Sequence, residues 1–164
     1  MIKEFEFYHG VIFARIIHAA QREISFKLFP TSDNASYVID NKVGIYIKYS
    51  EKRLSPWRFS FQKRHQEEIL EMKNKIGEVF LLLVCHDDGI VVLSFNEIRQ
   101  ILNEIYEDTE WISAARGKRQ MYTIKGSDGK LEFKIGHNDF PTKVLESTPP
   151  LIKDKIFSWF EQKK

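Results

Sequence analysis

The chain has 164 residues, 19.4 kDa and a formal net charge of +2. That length allows one domain with a sizeable core, and the charge is too small to argue for nucleic-acid binding by itself. The single cysteine, Cys85, excludes an intramolecular disulfide, and no apolar run approaches the roughly 20 residues that a membrane span requires. The start, Met1-Ile-Lys-Glu-Phe-Glu6, has no apolar signal region, so the expectation is a cytoplasmic protein with no membrane partner.

In chain order, Tyr8, Val11, Ile12, Ile16, Ala19 and Ala20 recur at helical spacing and predict a helix from about Phe5 to Gln21. Ile24 to Phe29 alternates as a strand. A polar loop, Pro30 to Asn34, follows. Ser36 to Asp40 and Val43 to Ser50 then form a hairpin about Asp40-Asn41-Lys42. Trp57 to Phe61 alternates as a further strand. Lys63 to Lys75 reads as a helix with Ile69, Met72 and Ile76 on its apolar stripe, stopped by Gly77.

Val79 to Cys85 is continuously apolar and reads as a strand buried on both faces, with Cys85 an inert thiol. His86-Asp87-Asp88-Gly89 is turn chemistry leading into the strand Ile90 to Leu93. Ser94 and Glu97 make a capping box for a helix carrying Ile98, Ile101, Leu102 and Ile105. Beyond it, Trp111 to Ser113, Met121 to Ile124 and Leu131 to Ile135 read as small strands, and Leu151 to Phe160 as a terminal helix. The expected fold is a single α/β domain over 1–164, with a mixed central β-sheet flanked by helices and a small C-terminal β element.

Chemistry concentrates in the hairpin. Period-two alternation puts Tyr46 and Lys48 on one face of their strand. The run Val43-Gly-Ile-Tyr-Ile-Lys48, placed after a helix and a strand, resembles the PD-(D/E)XK nuclease superfamily, which includes restriction enzymes and Holliday-junction resolvases. The order of elements downstream is similar to that family's core, and the resemblance covers about 5–107, with about 110–164 as an addition.

The resemblance implies a restriction-endonuclease-like core and, if the protein is an enzyme, Mg²⁺-dependent endonuclease chemistry. A carboxylate pair would then hold the metal against a phosphate while Lys48 stabilises developing charge. This chain departs from the pattern. Tyr46 stands where the family has Glu, Asp or Gln, and Ser36 stands where it has Asp. Asp33 or Asp40 could replace the first carboxylate, and Glu4, Glu6 or Glu51 the second; both aspartates also suit turns. The reading leans toward a site that binds nucleic acid rather than cutting it, with Tyr46 lining it.

Two basic clusters support a nucleic-acid partner. Lys48, Lys52, Arg53, Arg58, Lys63 and Arg64 interleave with Trp57, Phe59 and Phe61, and Arg116, Lys118 and Arg119 lie beside Tyr122. Solvated loop charge and core-filling aromatics explain the same pattern without a ligand. The alternative function is a protein-interaction domain, binding a partner subunit or a second copy, that uses the sheet as a scaffold and docks through Trp57 or Trp111.

Overall fold

The computed structural model describes residues 1–106 and 108–149. The expected terminal helix, 151–160, lies outside them. The elements, in order, are α1 (Glu4–Ala20), β1 (Phe26–Leu28), β2 (Ser36–Ile39), β3 (Val43–Ser50), β4 (Trp57–Phe61), α2 (Lys63–Ile76), β5 (Glu78–Cys85), β6 (Gly89–Ser94), α3 (Phe95–Ile101), β7 (Glu110–Ala115), β8 (Thr123–Gly126), β9 (Gly129–Lys130) and α4 (Thr142–Glu146).

The fold is α/β. A mixed five-stranded sheet has the order β1-β2-β3-β5-β6, and a separate antiparallel sheet has the order β4-β7-β8-β9. In the first sheet β3 and β5 run parallel, with the chain crossing between them through β4 and α2; the other pairings are antiparallel.

Alternation along β3 builds the layers. Val43, Ile45 and Ile47 join Ile12 and Ile16 of α1, together with Phe80, Leu82 and Val84 of β5. Tyr46 faces the other way, into a core with Ile69 and Met72 of α2, Leu81 and Leu83 of β5, and Trp57, Phe59 and Phe61 of β4. The five-stranded sheet is therefore covered by α1 on one face and by α2, α3 and the second sheet on the other. β5 is buried on both faces, as its composition requires, and the Cys85 thiol is fully buried. That burial pushes its pKa well above the usual range.

Gly44 lets α2 approach β3, because a Cβ there would strike the Met72 side chain. The Ser94–Glu97 capping box forms as expected, with Glu97 N–H donating to Ser94 Oγ at 3.2 Å and Ser94 N–H to Glu97 Oε1 at 2.8 Å. The helix it opens is shorter than the periodicity predicts. The carbonyl of Ile101 accepts the Asp128 N–H at 3.0 Å, and the Asn103 N–H turns to Asp128 Oδ2 at 2.8 Å. These two bonds divert the backbone from a further helical turn and leave Ile105 exposed.

β4 falls within 5–107, the span expected as a self-contained core, yet it pairs with β7 in the segment expected as an addition. The sheets share an apolar core, and a polar cluster ties them at one end. Asp88, in the β5–β6 turn, accepts two hydrogen bonds from Arg116, Nε at 2.9 Å and Nη2 at 2.7 Å, and one from the Tyr122 hydroxyl at 2.6 Å. Arg116 holds the Asp88 carboxyl below its ordinary value.

Candidate functional site

Ser36 pairs with Tyr46 across the hairpin. Tyr46 and Lys48 share the β3 face that meets α2, and α2 supplies the groups around them. Arg64, His65 and Glu68 are spaced to share one side of a helix. His65 and the 32–34 loop border a cleft of about 580 Å³, lined also by Phe5, His9, Tyr46 and Lys48, and Arg64 and Glu68 bond to Asp33 and Ser32 of that loop.

His65 links the two halves of this cleft. Its Nδ1 accepts the Gln62 N–H at 3.0 Å, which closes the first turn of α2. That assigns Nδ1 as the acceptor and leaves Nε2–H to donate to Asp33 Oδ2 at 3.1 Å. Burial, reinforced by Lys48 and Arg64, lowers the His65 pKa and favours the neutral ring. Lys48 Nζ lies 3.4 Å from Nδ1, donates to the Ser60 carbonyl and sits 4.8 Å from the centre of the Phe61 ring. Burial brings its pKa down to about 8, opposed by the Asp33 carboxylate.

Two carboxylates face this group, and both are already engaged. Asp33 Oδ2 accepts Arg64 Nη1 at 2.7 Å as well as His65, and Arg64 holds the Asp33 pKa below its ordinary value. Glu68 accepts Ser32 Oγ at 2.6 Å on one oxygen and the Tyr46 hydroxyl at 2.9 Å on the other. Burial, reinforced by the bond to Glu68, pushes Tyr46 far above ordinary phenol values.

This donor set does not fit Mg²⁺, which takes free oxygens in octahedral array. The Arg64 guanidinium and the His65 ring both sit on Asp33 Oδ2, and each Glu68 oxygen accepts a hydroxyl, so the set offers a cation no pair of free carboxylates. Among the described residues, no three His, Cys, Asp or Glu side chains gather into a metal-binding group.

The predicted site residues divide accordingly. Asp33 is in the cleft, but Asp40 is not. It lies beyond Val43, and β3 carries the chain about 16 Å from there to Lys48, at about 3.3 Å per residue. Asp40 accepts Arg22 Nη2 and the Ser25 N–H, each at 2.9 Å, so it serves the turn and is removed as a ligand candidate. The groove beside it is larger, about 660 Å³. Its lining holds neither Tyr46 nor Lys48, so the smaller cleft is the one that contains the predicted pair.

Arg116 is likewise committed, to Asp88. Trp57 is buried, with its indole N–H donating to the Lys52 carbonyl at 2.8 Å, and cannot dock a partner. Lys52, Arg53, Arg58, Lys63, Lys118 and Arg119 are exposed. The two basic clusters meet, because Arg116 N–H donates to Ser55 Oγ at 3.0 Å and joins the 51–56 loop to the loop after β7.

Sequence reasoning missed His65 and Glu68. The available signal was the 64, 65, 68 spacing at the start of a helix that follows a strand. Among the described residues, no helix is long and apolar enough to cross a membrane. Comparison with protein-family models, with curated proteins and with solved structures found no match.

Proposed function

We propose that this chain is a nuclease-like protein that binds nucleic acid through basic side chains around the Lys48 cleft and does not cut it. The supporting observation is the chain Arg64–Asp33–His65–Lys48, in which an arginine rather than an open carboxylate pair stands beside the lysine. Lys63, at the start of α2, is exposed, and Arg64 beside it keeps part of its guanidinium in solvent while bonded to Asp33, so a phosphate would meet Lys63 first and compete with Asp33 for Arg64.

Binding assays on labelled single-stranded, duplex and branched DNA and on RNA test this, run with Mg²⁺, Mn²⁺ or EDTA. The expected result is binding that weakens steeply with salt, persists in EDTA and leaves the substrate intact. Metal-dependent cleavage that disappears in Lys48→Ala would establish an enzyme instead. Absence of binding under every condition would remove the nucleic-acid reading.

The interaction-scaffold alternative then rests on Trp111, which is half-buried on β7, or on the α1 face with Phe7 and Val11, one turn apart and 65% and 37% exposed. Binding through that face would be nearly insensitive to salt.

A further inference from the structure

The second sheet has one face in the core and one in solvent. Inward positions are Trp57, Phe59 and Phe61 of β4, Ile112 and Ala114 of β7, and Ile124 of β8. Strand register fixes what stands on the outer face. Arg58 is opposite Ser113, Ser113 opposite Lys125, and Lys125 opposite Lys130. Residues paired this way point to the same side of a sheet, so three cations and a serine form one row across four strands.

With neighbouring strands about 4.8 Å apart, the row runs about 14 Å. Arg58, Lys125 and Lys130 are exposed, and among the described residues none of the three has an acidic partner within ion-pair distance. The parallel row holds Ser60 opposite Trp111, and the next Ala115 opposite Thr123. The Arg58 guanidinium lies 4.5 Å from the centre of the Trp111 ring.

We infer that this outer face is a binding platform for single-stranded nucleic acid. The inference rests on the nucleic-acid reading above and assigns it a surface separate from the cleft. Charge complementarity identifies the occupant, because a row of exposed cations on a sheet face matches a polyanionic backbone. The small side chains Ser60, Ser113, Ala115 and Thr123 let a flat ligand approach the sheet. The Arg58 guanidinium over the Trp111 ring gives an unpaired base a cationic and aromatic contact, and in a duplex the base faces are already stacked on one another.

The platform is continuous with other basic positions. Lys118 and Arg119 lie in the loop joining β7 to β8, and Lys52 and Arg53 in the loop that Ser55 attaches to Arg116. At the β4 edge the Ser60 carbonyl accepts Lys48, so a strand crossing the face ends beside the cleft.

The test is fluorescence anisotropy with labelled 12-nucleotide oligo-dT, oligo-U and a 12-base-pair duplex across a salt series. The wild type is compared with Lys125→Ala/Lys130→Ala, with Trp111→Ala, and with the cleft-rim variant Lys63→Ala/Arg64→Ala. Lys125 and Lys130 are exposed, so their double variant leaves the core untouched. The expectation is tighter binding of the single strands than of the duplex. The Lys125/Lys130 variant should lower the log–log salt slope by about 1.4, at about 0.7 for each phosphate no longer neutralised. Trp111→Ala should weaken single-strand binding roughly tenfold.

Comparison of the oligo-dT and oligo-U arms tells whether the face prefers DNA or RNA, the two strands differing in the 2′-hydroxyl and the thymine methyl. Single-strand binding that is unchanged in Lys125→Ala/Lys130→Ala but lost in Lys63→Ala/Arg64→Ala would overturn the platform and leave the proposed function standing. Equal binding of duplex and single strands would also overturn the platform. Binding to none of the three oligonucleotides would remove both.

Discussion

Lys48 is the residue on which the cleft depends, and its setting makes a measurable demand on stability. An unfolded lysine titrates at about 10.4, whereas in the folded chain burial brings Lys48 to about 8. Between those values the unfolded chain holds the extra proton, so stability rises with pH. The contribution is complete above about 10.4 and is lost as pH falls through about 8. Urea unfolding from pH 7 to 10 should therefore show the wild type gaining stability relative to Lys48→Met. Parallel pH profiles for the two proteins would show that the amine is not desolvated in the fold.

Period two was enough to place Tyr46 and Lys48 on a common face. It carried no information about which helix residues would meet them. His65 and Glu68 reach the cleft only because α2 lies against β3 at one rotation, and that rotation is a property of tertiary packing.

At the scale of elements, Gly44 sets how closely α2 lies on the sheet. Gly44→Val would force the helix away from β3 and should cost about 1–3 kcal/mol by overpacking. Chemical denaturation measures that cost. A second effect is expected from geometry, since lifting α2 moves His65 and Glu68 away from Lys48 and Tyr46. The Lys48 pKa should then rise toward its ordinary value, readable by NMR of the lysine side chain. An unchanged stability would mean that Met72 makes room without moving the helix.

Strand and helix identities were legible in the sequence where the signals were local. The hairpin register, the capping box and the glycine stop at Gly77 are of that kind. The end of α3 was not legible, because its stop signal is the N–H of Asp128, 27 positions after Ile101. The partner of β4 was not legible for the same reason. Alternating Trp57, Phe59 and Phe61 shows that one face is buried but not against which strand.

At the scale of the whole molecule, the chain enters the second sheet at β4, returns through α2 to finish the first sheet, and goes back for β7 to β9. Each sheet thus interrupts the other in sequence. Asp88 then ties the last turn of the first sheet to Arg116 and Tyr122 of the later segment. This topology carries a consequence for synthesis. While the polypeptide emerges from the ribosome, β4 is present some fifty residues before β7, its strand partner among the described residues. During that interval β4 is an unpaired edge with three large aromatic side chains, the kind of segment that attracts other chains. A chain stopped at Asn103 should accordingly be recovered as aggregate or in complex with a chaperone. One extended to Pro149 should be recovered as dispersed protein. Equal solubility of the two lengths would show that the nascent chain shelters β4 without its partner.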